Sequence, residues 1–166
     1  MKKLLLISSF IISLTGCASM SDPAVVKANT HVQYDKYSGS VSVTGATITP
    51  FTFPNILHYL LQANFSQEKE SIILYVSYWS QTGWSFFDSA RDSNANELKV
   101  TKIDSEVNTN ATVEEKVMII LSKDYLIKNK EKGLDIKLQG RRGSEVLKVS
   151  PEYITGFLDK LEEAKK

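Results

Sequence analysis

Three carboxylates in the middle of the chain have the side-chain type needed for acid and base catalysis. Asp88, Asp92 and Glu97 follow one another closely in the sequence. Two carboxyl groups about 5–9.5 Å apart can hydrolyse a glycosidic bond. A hydrolase that pairs Asp88 with Asp92 or Glu97 is therefore one functional hypothesis, and a cleft between two of these side chains would support it.

The histidines do not complete a catalytic or metal-binding pattern. His31 and His58 are the two histidines of the chain. His58 stands among apolar residues, which predicts a hydrogen-bonded residue of the core or its rim, whereas His31 is predicted to face solvent. The sequence has no Gly-x-Ser-x-Gly, His-Glu-x-x-His or phosphate-loop motif. We therefore assign no catalytic residue.

One segment resembles the start of a calcium loop but departs from it further on. Asp92, Asn94 and Asn96 have the spacing of the first three ligands. Glu97 then stands where the loop requires Gly, and Ile103 stands where it requires Glu. A polar turn explains the same residues. We predict no metal ion and no cofactor.

Aromatic and basic side chains are the candidates for a binding site. Arg141 and Arg142 lie between Gly140 and Gly143, where a hairpin tip could grip a phosphate or a carboxylate, or be simply solvated. An aromatic cluster occupies residues 75–87, and it could form a binding platform or part of the core. Its members are Tyr75, Tyr78, Trp79, Trp84, Phe86 and Phe87. From both groups we select Tyr78, Trp79, Trp84, Arg141 and Arg142 as candidate binding residues.

The N-terminus has the pattern of an export signal. Lys2 and Lys3 precede an apolar run over residues 4–14, which is too short for a membrane-spanning helix of about 20 residues. The run ends in Leu14, Thr15, Gly16 and Cys17. These four residues resemble the lipobox of bacterial membrane lipoproteins. A plain signal peptide with a chance cysteine is the alternative.

The lipobox resemblance implies a lipid anchor. It implies cleavage before Cys17, a diacylglycerol on the Cys17 sulfur and an acyl chain such as palmitate on the new amino terminus, which together anchor a protein stably. Ala18 and Ser19 follow instead of Asp, which in that family favours the outer membrane where a cell has two membranes. The expected location is the bacterial cell envelope, and the expected covalent group is the lipid on Cys17.

Composition excludes some partners. The formal charge is +1, and loss of residues 1–16 with Lys2 and Lys3 would leave 150 of the 166 residues with a charge of −1. A near-neutral chain gives no electrostatic case for binding nucleic acid. With Cys17 the single cysteine, the domain has no disulfide.

The remaining sequence predicts strands that mostly follow one another along the chain. Residues 18–30 predict a lipidated tether beginning at Cys17, and residues 31–166 predict one globular domain. Residues 55–64 fit a helix or a strand, and we favour the strand. Residues 71–80 predict a central strand, because both of its faces are apolar. Further strands are predicted over residues 32–49, 84–90, 97–107, 113–121, 134–138 and 145–149.

Two helices complete the predicted fold. Ser122 can cap a helix over residues 123–132 that ends before Gly133. Ser150 and Pro151 begin a C-terminal amphipathic helix. Its apolar stripe is Tyr153, Ile154, Phe157, Leu158 and Leu161. The fold class is therefore α+β, a mostly antiparallel sheet or curled sandwich of seven to eight strands with a helix packed on it.

These observations lead to one functional hypothesis and two alternatives. Residues 74–158 loosely resemble uncharacterised bacterial envelope proteins, a resemblance that implies no activity or site. We expect a lipid-anchored envelope protein with a non-catalytic binding or scaffolding domain, whose partner is an envelope protein or glycan. The alternatives are a hydrolase of envelope glycan and a host-facing surface protein.

Overall fold

A computed structural model describes residues 20–66, 69–108 and 111–166. The signal, Leu14, Thr15, Gly16 and Cys17 lie outside the described residues, as do residues 67–68 of the predicted hairpin tip and 109–110 of a predicted turn. The described parts contain ten strands and three helices. In chain order they are α1 (Pro23–Ala28), β1 (His31–Asp35), β2 (Ser40–Thr44), β3 (Ile56–Phe65), β4 (Glu70–Ser80), β5 (Phe87–Asp92), β6 (Glu97–Leu98), β7 (Val100–Val107), β8 (Val113–Leu121), α2 (Lys123–Lys128), β9 (Leu134–Gly140), β10 (Ser144–Val149) and α3 (Pro151–Ala164).

Six strands form a large antiparallel sheet in the order β1-β2-β3-β4-β8-β7. The predicted central strand is confirmed, because β4 pairs with β3 on one side and β8 on the other. The strand over residues 55–64 is also confirmed as β3. Alternate side chains of β3 are buried, namely Leu57, Tyr59, Leu61 and Ala63, which is the period of two expected of a strand with one face on a core.

The other four strands form a small antiparallel sheet in the order β10-β9-β5-β6. The prediction of one strand over residues 97–107 is wrong in detail, because the chain changes sheets at Lys99. β6 belongs to the small sheet and β7 to the large one. Such a change of sheet lets one segment contribute to both layers of a sandwich. The α+β class is confirmed. The described residues form ten strands where seven to eight were predicted, because segments such as residues 97–107 are divided into two strands.

The C-terminal helix joins the core that both sheets share. Its start is confirmed, since Ser150 accepts a hydrogen bond from the Tyr153 N–H. The predicted apolar stripe is buried in full. The Tyr153 hydroxyl donates to the Ala46 carbonyl, and the Tyr59 hydroxyl donates to the Lys148 carbonyl at 2.8 Å. These contacts connect the large sheet to α3 and to the small sheet.

The second predicted helix is confirmed at its start but is shorter than expected. Ser122 accepts a hydrogen bond from the Tyr125 N–H as its N-cap, and α2 ends at Lys128. The Asn129 side chain donates to the Tyr125 carbonyl at 2.8 Å, which closes the last turn before residue 132. None of the described helices is long and apolar enough to cross a membrane.

The expectation of a tether through residue 30 is wrong from Pro23 onward, because α1 is docked on α3. Asp22 caps α1 by accepting from the Ala24 N–H at 2.8 Å, and Val26 is fully buried. At the crossing, Gly156 faces the Pro23 carbonyl and the Val26 side chain. A six-residue helix has little stability of its own. Its formation therefore depends on packing that the local sequence does not show.

Gly156→Ala tests whether α1 docks this way. Alanine in place of glycine usually stabilises an exposed helix by about 1 kcal/mol. Here the added Cβ would lie 2.7 Å from the Val26 Cβ, so α1 must shift. We expect the free energy of unfolding in urea to fall by about 1–3 kcal/mol. Asp159→Ala, at an exposed position of α3, is the control and should change it little; a stabilised Gly156→Ala protein would contradict the docking.

Candidate functional site

Three of the five candidate binding residues surround one side chain, Phe86. The Trp84 and Phe86 rings have centroids 6.3 Å apart. The Arg142 guanidinium lies over the Phe86 ring, 5.7 Å from its centroid. Arg141 shares with Phe86 the lining of a cleft of about 350 Å³. We call this cleft, whose lining also includes Phe87, Asp88, Val100 and Lys102, the Phe86 cleft.

The backbone at Phe86 is in a conformation that bulky residues rarely adopt. Its φ is +56°, in the left-handed region, at a cost of roughly 1–2 kcal/mol for a residue other than glycine. Ala95 and Ala111 are the other non-glycine residues with positive φ in the described ranges. The left-handed turn also explains why β5 begins at Phe87 and not at residue 84. Such strain persists only where the surroundings fix the conformation.

A buried carboxylate fixes the two peptide groups that flank Phe86. Glu115 is fully buried on the core side of β8. Its Oε1 accepts a hydrogen bond from the Ser85 N–H at 2.6 Å, and its Oε2 accepts one from the Phe87 N–H at 3.2 Å. Hydrogen bonds to an ionised carboxylate are stronger than those between neutral groups. Glu115 therefore holds the turn from the side of the large sheet.

The β9–β10 hairpin holds the same turn from the side of the small sheet. The Arg142 N–H donates to the Ser85 carbonyl at 3.1 Å. At Gly140 the two segments touch so closely that a Cβ would lie 2.7 Å from the Phe86 carbonyl carbon. The hairpin can approach this far because Gly140 has no side chain. The approach places Arg141 and Arg142 beside Phe86.

The charges of the Phe86 cleft suit an anionic ligand. Lys102 and Arg141 supply two cations, and Asp88 supplies one carboxylate. An adjoining depression of about 340 Å³ shares Asp88 and Arg141 and adds Arg91. Arginine binds carboxylate and phosphate groups through paired N–H donors, and the Phe86 ring offers an apolar surface beside them. The arrangement can hold a ligand that combines an anionic group with an apolar or planar part.

Comparisons with protein-family models, with the curated proteins and with the solved structures each found no match for this chain.

The other two candidate residues, Tyr78 and Trp79, do not line the Phe86 cleft. They are neighbours on β4 and therefore point to opposite faces of the large sheet. Tyr78 is buried and meets Phe87 edge to face, with centroids 5.2 Å apart and an interplanar angle of 82°. Burial raises the pKa of Tyr78. Trp79 lies on the outer face of the large sheet, where its Nε1 donates to Ser77 Oγ at 3.0 Å. The five candidates thus do not form one site.

The structure gives the three candidate catalytic carboxylates separate surroundings. Asp88 lines the Phe86 cleft, and Glu97 pairs with Arg91 at 2.7 Å. Asp92 accepts hydrogen bonds from the Asn94 and Asn96 N–H groups at 2.9 Å within its own turn. This geometry gives the glycan hydrolase hypothesis no support.

The segment that resembles a calcium loop is the predicted polar turn. Partial burial raises the pKa of Asp92, but hydrogen bonds from Asn96, Asn94 and Tyr125 outweigh it and leave that pKa below its usual value. The carboxylate oxygens thus already serve the turn. No group of three or more His, Cys, Asp or Glu residues that could hold a metal ion occurs in the described parts of the chain.

Both histidines lie in the expected surroundings. The Nδ1 of His58 is 2.8 Å from Thr49 Oγ1, so His58 is a hydrogen-bonded residue at the rim of the large sheet. His31 is exposed at the start of β1.

Another cleft of about 370 Å³ is lined largely by turns of the chain. It lies between the 93–96 turn and the segment that joins α2 to β9. Asn96 and Asn129, which contribute to its wall, donate their side-chain amides to Asp92 and to the Tyr125 carbonyl. The hydrogen bonds of these two side chains within the protein therefore account for their positions in the wall of the cleft, and no ligand is needed to hold them there.

Sequence reasoning missed four residues that matter here: Phe86 as the centre of the site, Lys102, Glu114 and Glu115. The available signal was the Glu114-Glu115 pair in strand β8, next to the apolar run of residues 117–121. Both side chains are buried. Glu114 accepts a hydrogen bond from Ser77 Oγ at 2.7 Å and pairs with Lys116 at 3.3 Å. Ser77 Oγ in turn accepts the hydrogen bond from the Trp79 Nε1. A buried acid must find partners, so the pair indicated polar contacts but not which ones.

Glu115→Gln tests the role of the buried carboxylate. Glutamine keeps one acceptor oxygen but turns an N–H₂ group toward the second backbone N–H, so either Ser85 or Phe87 loses its partner. We expect the free energy of unfolding in urea to fall by about 1–3 kcal/mol. Glu97→Gln removes a carboxylate from the exposed pair with Arg91 and should have little effect. Equal stability of both variants would contradict the assigned role.

Proposed function

We propose that this chain is a lipid-anchored protein of the bacterial cell envelope whose domain binds, without catalysis, an anionic group of another envelope component in the Phe86 cleft. The anchor and the binding domain rest on different observations. The sequence around Cys17 supports the anchor, and the geometry around Phe86 supports the binding role.

The support for the anchor is the position and order of four residues. Leu14, Thr15, Gly16 and Cys17 directly follow an apolar run that begins after two lysines. A lipidated Cys17 would hold the domain at a membrane, because several acyl chains together give stable anchoring. The absence of Asp at position 18 favours the outer membrane in a cell with two membranes.

The observation that carries the binding role is the strained turn at Phe86. The fold uses a buried Glu115, a close contact at Gly140 and the Arg142 backbone to keep a bulky residue at a φ of +56°. Strain of this kind concentrates at functional sites. Here it presents the Phe86 ring beside Arg141 and Lys102, which is where an anionic ligand with an apolar part would be recognised.

Cys17→Ala tests the anchor. Cells that express the native chain should incorporate radioactive palmitate into it, and cells that express the variant should not, because the sulfur that receives the diacylglycerol is missing. Cell fractionation should move the variant out of the membrane pellet. Continued labelling of Cys17→Ala would overturn the anchor.

Paired variants test the binding role by cross-linking in intact cells and quantitative recovery of the partner. Phe86→Ala and Arg141→Glu should each lower recovery by roughly tenfold or more, because both side chains line the Phe86 cleft and truncating a central interface residue has effects of this size. Trp79→Ala and Lys132→Glu are the matched controls, because these residues do not line the Phe86 cleft, and should leave recovery unchanged. The urea midpoint of each variant separates lost binding from lost folding. Equal recovery in all four folded variants would overturn the Phe86 cleft as the binding site.

A further inference from the structure

Two phenylalanines in the loop before β3 project into solvent. Phe51 is 95% exposed and Phe53 is 81% exposed. An isolated exposed apolar residue is ordinary on a protein surface. Two phenylalanines in one short loop form a larger apolar surface than an isolated residue does. Neither side chain has a polar group that could form a hydrogen bond with water. They are therefore suited to contact with an apolar partner.

The loop presents these rings on a fixed base. Ile48 and Tyr59 exchange backbone hydrogen bonds below it, at 2.8 and 3.0 Å. Within the loop, Thr52 and Asn55 exchange two more, since the Asn55 N–H donates to the Thr52 carbonyl and the Thr52 hydroxyl donates to the Asn55 carbonyl, each at 2.9 Å. Phe53 lies inside the turn that these bonds close, and its exposure follows from that turn.

The surrounding sequence carries no charged side chain. Residues 37–67 contain no Asp, Glu, Lys or Arg, although 23% of the whole chain is charged. This interval includes β2, the loop and β3. Burying a charge in an apolar medium is costly. A loop whose own segment carries no charge can therefore enter such a medium at low cost.

Further apolar residues lie at the same end of the large sheet. Ile56 begins β3, is 48% exposed and is in register with Trp79 at the end of β4. Tryptophan and other aromatic residues are enriched where proteins meet the membrane interface. Ile56 and Trp79 extend the apolar surface from the loop onto the outer face of the sheet, where the same row continues with Glu114 and Glu106.

The lipid bilayer is the partner that these features fit. On the proposed lipid anchor, on which this inference rests, five residues separate Cys17 from Pro23 at the start of α1. The six steps from Cys17 to Pro23 span at most about 22 Å at ~3.6 Å per residue, which keeps the domain against the membrane surface. The rings protrude and are uncharged, as insertion into acyl chains requires.

We propose that the loop of residues 49–55 inserts Phe51 and Phe53 into the bilayer that carries the anchor. The insertion is a second contact that fixes the orientation of the domain on the membrane. Anchor and loop then act together, since a contact made by a tethered domain is favoured by its high effective concentration at the surface.

A fluorescent label placed in the lipid-anchored protein tests this contact. The chain has one cysteine, which the anchor occupies, so Phe51→Cys carries an environment-sensitive fluorophore at a single position. In phosphatidylcholine vesicles we expect a blue-shifted emission that brominated lipids quench. Tyr37→Cys, at a residue 90% exposed in the β1–β2 turn, is the matched control and should show neither effect.

A second substitution and the flotation of the vesicles make the outcomes distinct. Phe53→Ser added to Phe51→Cys should lower the ratio of inserted to free label by roughly tenfold, because moving one Phe side chain from water to lipid changes an equilibrium by about that factor or more. Protein that floats with the vesicles but shows no quenching at position 51, or equal quenching at positions 51 and 37, would overturn the insertion and leave the anchor intact. Protein that does not float at all would overturn the anchor.

Discussion

The two sheets meet at a buried carboxylate. Glu115 occupies a core-facing position of β8, where the alternation of the strand otherwise places Val113, Val117 and Ile119. An ionised group at such a position is costly unless hydrogen bonds compensate for its lost hydration. The N–H groups of Ser85 and Phe87 supply them. An apolar residue in place of Glu115 would leave these two N–H groups without their acceptor, so the carboxylate and the turn depend on each other.

The path of the chain between the sheets follows from this bond. β4 ends at Ser80 in the large sheet and β5 begins at Phe87 in the small one, so the connection must turn sharply between them. Glu115 fixes its last residues on one side, and the β9–β10 hairpin closes on Ser85 from the other. Phe86, between these fixed points, takes the left-handed conformation. The cleft, its aromatic ring and its cations are thus products of how the two sheets are joined.

Elements with a strong local pattern were predictable from the sequence. The two apolar faces of residues 71–80 and the capped amphipathic stripe of α3 correspond to β4 and to the C-terminal helix. Residues 55–64, which fitted a helix as well as a strand, form β3. Features set by distant contacts were not predictable. α1 depends on its crossing with Gly156, and the change of sheet at Lys99 depends on two different partners, β5 and β8.

The same distinction applies to the candidate site. Residue type alone indicated Trp84, Arg141 and Arg142, and the alternation of β4 already placed Tyr78 and Trp79 on opposite faces. Their grouping around Phe86 requires the hairpin tip to reach Ser85, some 57 positions away in the sequence. No local pattern encodes that contact. Phe86 was one of the aromatic cluster, but its left-handed backbone had no signal in the sequence, because such positions usually carry glycine. Here the surrounding hydrogen bonds replace that intrinsic preference.

The two proposals also bear on each other through the topology of the large sheet. β3 begins and β4 ends at one end of that sheet, so the Phe51 loop and the connection that leads to Phe86 leave from the same end. Phe86 is six positions after Ser80, at most about 22 Å of chain. A domain that inserts Phe51 and Phe53 therefore holds Lys102 and Arg141 near the membrane surface. Cations close to a membrane meet ligands that are themselves membrane-bound at high effective concentration. A modest intrinsic affinity in the Phe86 cleft would then suffice for stable binding, which agrees with the open shape of the cleft.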